Sequence, residues 1–491
     1  MKLSTAALSA LPAGIARPAY DRSALTPGIV HIGLGNFHRA HQAVYLDDLF
    51  NLGEGHDWAL IGAGVRPTDA RMRDLLAAQD NLTTVIELDP AGNRARVTGA
   101  MIDFVPVEPD NAALIARMSD PAIRIVSLTV TEGGYYVDPA TGVFDPTHPD
   151  IVADGKTPAR PATAFGAILA ALKARRAAGT APFTVMSCDN LPGNGHVTRD
   201  AVVGLARLSD PALADWVAAH VAFPNAMVDR ITPATGPREI ALAQSFGLDD
   251  AAPVTCEPFR QWVVEDHFPT GRPALEKVGV TFTDHVHLYE AMKIRILNGG
   301  HAIIAYPSGL MDIELVHEGM ANGLVRAFLH KVEQEEIIPH VPPVPGTSLA
   351  DYYALIERRF SNPEIADTIR RLCLDGSNRQ PKFIIPSLRD NLAAGTVPLG
   401  LILESALWCR YCAGTTDSGA TIAPNDPNWD VLTATARRAK ADPNAWLGMA
   451  YIYGETGRDP RVQEVFARCL NALWARGTKA VLTDYVAGRG V

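Results

Sequence analysis

Apolar positions in the first half of the chain come in short unbroken blocks separated by polar segments. Ile29, Val30 and Ile32 make one block; residues 58–65, 123–131 and 183–188 make three more. Apolar runs of this length, bounded by turn residues, read as strands covered on both faces, as in parallel sheets. Helical spacing follows the first block over residues 36–50 and recurs at 162–176, between the third and fourth blocks. The third and fourth blocks end in polar residues, the place where an open parallel sheet presents its ligand crevice. This alternation predicts a doubly wound α/β fold. From about Asp284 the pattern changes to a helical period, with candidate helices at 286–306, 323–334, 349–360, 363–373, 399–412, 429–440, 444–452 and 461–477. The proline-rich segment 338–346 joins two helical groups and is too short to free them.

The first block runs straight into a glycine turn: Gly28-Ile29-Val30-His31-Ile32-Gly33-Leu34-Gly35-Asn36-Phe37-His38-Arg39-Ala40-His41. Strand, Gly-x-Gly turn and helix in that order form a dinucleotide-binding turn, whose glycines let the backbone approach a pyrophosphate. The usual third glycine is replaced by His38. Thr68-Asp69 follows the second block, where an acidic side chain holds a ribose diol. It lies farther from Gly33 than the usual ~20 residues, so the first helix is expected to be long. The organisation predicted is an N-terminal α/β Rossmann-like domain with a short arm, residues 1–284, followed by an all-α substrate domain, residues 285–491, with the cleft between them.

The first long helix of the second half carries candidate chemistry. In Glu290-Ala291-Met292-Lys293-Ile294-Arg295-Ile296-Leu297-Asn298-Gly299-Gly300-His301, the lysine, asparagine and histidine stand at offsets 0, +5 and +8. At about 100° per residue they fall near 0°, 140° and 80°, one broad face. A lysine among apolar neighbours is poorly solvated, which lowers its pKa and equips it as a base. Asparagine and histidine donate hydrogen bonds to a developing oxyanion. A buried helix with a snorkelling lysine and satisfied core polars shows the same pattern, so the segment gains weight only beside the cofactor turn.

At 491 residues the chain is too long for one core. Its net charge of −10 argues against nucleic-acid or membrane-surface partners. No apolar run approaches the ~18 residues of a membrane helix. Six cysteines in such a length make no disulfide framework, and the lone Cys409-Arg410-Tyr411-Cys412 has no second pair or nearby histidine, so buried thiols are expected. His31, His38 and His41 look like metal ligands on a quick scan, but a turn separates the first from the others. The expectation is a cytoplasmic protein without a metal, and, since no interface stripe stands out, a monomer.

Taken together these segments resemble the long-chain polyol dehydrogenases, in their mannitol 2-dehydrogenase branch, almost end to end. The resemblance is carried by Gly33-Leu34-Gly35-Asn36-Phe37-His38-Arg39-Ala40-His41-Gln42, by Ser127-Leu128-Thr129-Val130-Thr131-Glu132-Gly133-Gly134-Tyr135 and by Ser187-Cys188-Asp189-Asn190-Leu191-Pro192. It continues through residues 223–233, Cys256-Glu257-Pro258-Phe259, the Lys293/Asn298/His301 segment, Asp375-Gly376-Ser377 and Pro381-Lys382-Phe383. It implies NAD-dependent, metal-independent oxidation of a sugar alcohol to a ketose, D-mannitol to D-fructose first among the candidates, and the reverse reduction.

The resemblance also implies roles. Lys293 matches the general base, and Asn190 and Asn298 match the oxyanion donors. His301 matches the residue that orients substrate, and Glu290 the gate of a proton path. Asp229, Arg371 and the cation at Arg379 match contacts to polyol hydroxyls, although the family often has lysine at the last position. Gly33, Gly35, Asn36, Phe37, Thr131 and Glu132 fall on the cofactor side. Thr68 and Asp69 occupy the cofactor-selecting position; relatives that prefer NAD can be acidic at both, so Thr68 leaves NAD favoured and some use of NADP open. Three alternatives stand beside this reading. A hexuronate (fructuronate or tagaturonate) reductase would find an extra cationic contact in Arg371, Arg379 or Lys382. Another polyol, arabinitol or sorbitol, is the second, and a catalytically silent NAD-binding sensor the third.

Overall fold

The computed structural model describes residues 1–138 and 141–491. The described chain divides into two compact units, Met1–His287 and Leu288–Val491. Eleven strands are present among the described residues, all in the first unit: β1 (Pro27–Ile32), β2 (Ala59–Ala63), β3 (Thr83–Glu87), β4 (Arg94–Thr98), β5 (Met101–Phe104), β6 (Ile125–Leu128), β7 (Thr184–Ser187), β8 (Ala226–Asp229), β9 (Val254–Cys256), β10 (Gln261–Val264) and β11 (Thr281–Phe282). Five of them form a parallel sheet in the order β5-β2-β1-β6-β7. The chain leaves β1 toward β2 on one side and returns to β6 on the other. The C-terminal ends of β1 and β6 therefore form the switch point at which such sheets bind ligands.

The apolar blocks are covered on both faces, as parallel strands require. Val30, Ile32, Val126, Leu128 and Val185 pack with Phe165, Ile168 and Leu172 of the helix Ala164–Ala177. Ile29, Leu60 and Met101 pack with Leu46, Leu49 and Phe50 of the helix Gln42–Asn51 and with Trp262. Two small sheets flank this core: β3 pairs antiparallel with β4 and parallel with β9, while β10 pairs antiparallel with β8 and parallel with β11. The first helix is not long. It breaks at His41 into Asn36–Ala40 and Gln42–Asn51, and the extra residues before β2 lie in the turn at 52–58.

The second unit is helical. The helix Leu399–Cys412, buried along nearly its whole length, packs on Pro460–Val486, which runs on past a non-helical Gly477 at φ 76°. Periodicity located the helix Leu349–Phe360 residue for residue and misplaced others. The stretch 363–373 is a 3₁₀ turn, a left-handed Ala366 and a short helix Ile369–Leu372 capped by Thr368. The stretch 444–452 is two single turns, Asn444–Leu447 and Ala450–Tyr453. Helices Gly376–Phe383 and Ile385–Ala393 were not foreseen, because Pro381, Pro386 and a polar composition hide their period. The foreseen helix at 286–306 is three segments: α-helix Val286–Met292, π-helix Lys293–Asn298 and α-helix Gly299–Leu310.

Buried carboxyls, Glu333, Glu336 and Glu404, make stability depend on pH in this unit. Burial pushes Glu404 up to about 8 and Glu336 up to about 7, against the ordinary 4.5. Glu336 nonetheless accepts the Gly400 and Leu401 amides at 2.7 and 2.8 Å, which opposes the rise. A raised carboxyl pKa means the folded chain keeps a proton the unfolded chain has released, so stability falls as pH climbs from about 4.5 toward the folded value. Glu404→Gln keeps an acceptor for the Gln380 amide, 2.5 Å away, and removes one titration. Its melting temperature is expected to gain on wild type steadily between roughly pH 5 and 8 and then level off. A difference that stays flat over that range would mean Glu404 is not protonated in the fold.

Candidate functional site

The Gly-x-Gly turn leaves the C-terminal end of β1 in a conformation that needs glycine. Gly33 has φ +94°, and a Cβ there would stand 2.2 Å from the Thr129 carbonyl oxygen. The Gly33 amide donates to Ala63 (3.0 Å), and its carbonyl accepts the Thr129 hydroxyl (2.6 Å) and the Gly35 amide (2.8 Å). The turn is thus tied to β2 and to the loop after β6, while Gly35 is exposed and a Cβ there would make only an ordinary contact, 4.0 Å from the Gly33 carbonyl oxygen. Asn36 is turned inward: its amide donates to the Pro233 carbonyl and the Thr235 hydroxyl, and its oxygen accepts from Arg39. Phe37, half-buried, stacks on His41 with ring centroids 4.8 Å apart.

His38, at the missing third glycine, lies flat on His31 of β1, with centroids 3.4 Å apart and planes 18° apart. The fingerprint glycine serves close packing of helix on strand; here two stacked rings make that contact. The His31 ring nitrogens lie 2.8 Å from Ser127 Oγ and Thr129 Oγ1. Burial holds His31 and His41 at about 3 and His38 well below its ordinary range, so all three are neutral. Among the described residues no group of three or more His, Cys, Asp or Glu is placed to hold a metal ion.

Beyond β2, exposed Thr68 precedes the helix Asp69–Ala77, and Asp69 Oδ2 accepts the Arg66 amide at 3.0 Å. The carboxylate closes the turn at 66–69 and stands beside Gly64, where a Cβ would meet it at 2.5 Å. Beyond β6, Thr131 and Glu132 are exposed, and Thr131 has φ 66° and ψ 163°, a region that β-branched residues avoid. Such strain persists only where neighbours over-determine it. Asp189, after β7, supplies the restraint by accepting the Val130 and Thr131 amides at 2.9 and 3.0 Å and the Tyr135 hydroxyl at 2.6 Å. Sequence reasoning assigned Asp189 no role; an acidic residue directly after a buried strand was the available signal. Asn190 follows it, exposed, and Asp229 closes β8 in a buried position.

In the helical unit the π turn decides the geometry. A π-helix joins residue i to i+5, so Lys293 and Asn298, its first and last residues, lie one above the other. In an ideal α-helix they would diverge by about 140°. Lys293 is 7% exposed and Asn298 9%. The outer side of the turn is anchored by Arg295, which donates to the His340 carbonyl (2.9 Å) and pairs with Asp390 (2.6 Å). Gly299 and Gly300 follow and admit close neighbours, the Phe383 carbonyl and the Glu333 carboxyl. Glu290 is half-buried on the preceding α-helical segment.

His301 stacks on Phe360 at 4.2 Å with planes 19° apart. Burial, then the charges of Arg371, Arg359, Arg379 and Lys293, hold its imidazole well below the ordinary value. It is a neutral hydrogen-bonding group at pH 7 and no imidazolium. Arg371 is paired with Asp367, which raises its own pKa. Arg379 donates to the Leu372 and Arg371 carbonyls at 3.1 and 3.4 Å. Lys382 is exposed on the helix Gly376–Phe383. Of the three cations singled out from sequence, two are drawn into local contacts and reach His301 through their fields.

Residues 27–277 match the mannitol dehydrogenase Rossmann domain and residues 285–474 the mannitol dehydrogenase C-terminal domain. The chain is 76% identical over 473 residues to a mannitol 2-dehydrogenase of Cereibacter sphaeroides, covering 96% of this chain and 99% of that protein. Among solved structures, Pseudomonas fluorescens mannitol 2-dehydrogenase in ternary complex with NAD and D-mannitol superimposes with a TM-score of 0.88 at 43% identity, covering 99% of this chain and 100% of that one. A D-sorbitol dehydrogenase in substrate-free form gives 0.91 at 34% identity, covering 98% and 100%. With a glycine turn at the switch point of a parallel sheet, a Lys–Asn–His helix in the unit that follows and matches along both, the chain belongs to the mannitol dehydrogenase family.

Proposed function

We propose that this protein oxidises D-mannitol to D-fructose, and reduces the ketose in reverse, with Lys293 as the general base and no metal. Its family makes it an NAD-dependent polyol dehydrogenase, and the relatives named for mannitol and NAD support this substrate and cofactor. The observation that carries the mechanism is the π turn, which sets Lys293 and Asn298 in one direction from a buried helix. The nicotinamide cofactor, when bound, supplies the hydride acceptor. The residues present fit it: the Gly33 turn has no room for a side chain, Gly35 is open, and Asp69 stands at the end of β2.

The protein's own groups then do the rest. Lys293 Nζ, unprotonated, takes the proton of the reacting hydroxyl. The amides of Asn298 and Asn190 donate to the developing alkoxide; loss of one such donor costs ~10²-fold or more. Neutral His301 orients the substrate by hydrogen bonding, and Glu290 passes the proton from Lys293 toward water. Asp229, Arg371 and Arg379 hold further hydroxyls. The free, buried state of all six cysteines supports a reducing, cytoplasmic setting.

A panel of polyols with NAD and of ketoses with NADH, read by absorbance of the reduced cofactor, tests the assignment. D-Mannitol and D-fructose are expected to give the highest kcat/KM. A preference for fructuronate would move the assignment to a hexuronate reductase, although the pairing of Arg371 with Asp367 weakens that reading. Cofactor choice has its own test. Asp69→Ala is expected to lower kcat/KM for NAD more than for NADP, because the carboxylate holds a ribose diol and repels a 2′-phosphate. An unchanged ratio would shift selection to Thr68 or Arg66.

A further inference from the structure

We infer that Asp189 is a positioning residue for the proposed reaction, one that ties the strained cofactor-side loop to the oxyanion donor Asn190. The inference rests on the role proposed for Asn190. Asp189 is 8% exposed, and its two carboxylate oxygens are divided between partners from the loop after β6. Oδ1 accepts the Thr131 amide, and Oδ2 accepts both the Val130 amide and the Tyr135 hydroxyl. Tyr135 is fully buried and also lies 2.5 Å from Ser187 Oγ, at the last residue of β7. A carboxylate taken out of water needs such donors. Burial raises its pKa, and these three donors oppose that by favouring the charged form.

The backbone of the same residue builds the turn that presents Asn190. The Leu191 amide donates to the Asp189 carbonyl at 2.9 Å, closing a three-residue turn with Asn190 at its apex. Buried Asn194 donates to that carbonyl at 3.0 Å and to the Ala226 carbonyl at 2.7 Å, and accepts the Ala226 amide at 2.9 Å, fixing the turn to β8. The turn is therefore held from below by Asn194 and from the side by the Asp189 carboxylate. Thr131 keeps φ 66° because its amide is one of the groups held. One side chain thus sets two loops at once: a shift of the carboxylate moves Asn190 and releases Thr131. A displacement near 1 Å at such a position costs about 10²-fold in rate.

The test is a double-mutant cycle on the full-length protein, with steady-state kinetics, NADH titration and thermal unfolding. Asp189→Asn keeps the size and one acceptor and is expected to lower kcat about 10- to 100-fold, with KM for the polyol changed less than about threefold. In an Asn190→Ala background the same substitution is expected to add little to the loss of kcat at saturating NAD, because the donor it positions is gone, while the release of Thr131 still lowers NADH affinity in both backgrounds. Losses of kcat that multiply in the double variant, or a kcat within about twofold of wild type, would overturn the inference while leaving the reading of Asn190 intact. Wild-type turnover in Asn190→Ala alone would remove that reading and the inference with it. If Asp189→Asn does not fold, Tyr135→Phe loosens the carboxylate without removing it. It is then expected to lower kcat about three- to tenfold, again only when Asn190 is present, and an unchanged kcat would overturn the inference.

Discussion

Lys293→Ala is expected to lower polyol turnover by ~10² to 10⁴, the worth of a positioned general base, while NADH binds with near-normal affinity. The substitution removes the proton acceptor and leaves the glycine turn, Asp69 and the loop at Thr131 untouched, all of which belong to the other unit. Lys293 is buried in the helical unit and its neighbours are anchored by Arg295, so the truncated helix should keep its place. The direction of the reaction supplies a sharper check. Oxidation needs the amine neutral and reduction needs it protonated. In wild type, log kcat/KM for mannitol should rise with pH while that for fructose falls over the same range. His301, held neutral by burial and by its cationic neighbours, cannot supply the opposing protonation in that range. Lys293→Ala should flatten both profiles. Retention of more than about a tenth of wild-type turnover at neutral pH, a loss too small for a base, would assign the base elsewhere.

The second large effect is expected at the cofactor turn. Gly33→Ala places a methyl group 2.2 Å from the Thr129 carbonyl at φ +94°, a conformation that L-residues adopt only under strain. The turn must swing away from β6, which breaks the Thr129 hydroxyl bond to the Gly33 carbonyl and tilts Gly35 off its line. Strain of this kind costs about 1–3 kcal/mol, which at 1.4 kcal/mol per tenfold corresponds to roughly five- to 150-fold in affinity. NADH titration by fluorescence should show that loss, with thermal unfolding and the far-ultraviolet spectrum confirming a folded protein. Saturating cofactor should restore much of kcat, because Lys293 and Asn298 are unaltered. Full NADH affinity in a folded Gly33→Ala protein would place the pyrophosphate away from this turn.

Much of this molecule was legible without coordinates because it depends on neighbours in the chain. Four apolar blocks became β1, β2, β6 and β7, since a strand covered on both faces must be apolar throughout. Gly33 was legible because only glycine tolerates its dihedral angle. The α-helical segments on either side of the Lys293 turn were legible from their period. What failed was local as well: His41 breaks the first helix, and the prolines at 381 and 386 hide two helices that carry Arg379 and Lys382 or follow them.

Other features answered only to contacts between distant segments. No period of 3.6 announces the π turn at 293–298; it is one residue per turn too wide, and anchors from His340 and Asp390 lie against it. Lys293 and Asn298 share a direction for that reason, whereas helical spacing alone set them about 140° apart. His38 replaces a glycine because His31, on the preceding strand, offers a flat ring to receive it. Asp189 gains its importance from amides 58 and 59 residues earlier in the chain, which no local rule connects to it. The sequence by itself determined the alternation of elements and the glycine turn, and offered the residues proposed to move a proton, because dihedral preference and periodicity act over a few residues. Tertiary structure alone decided which of those residues face together, because that depends on what packs against each turn.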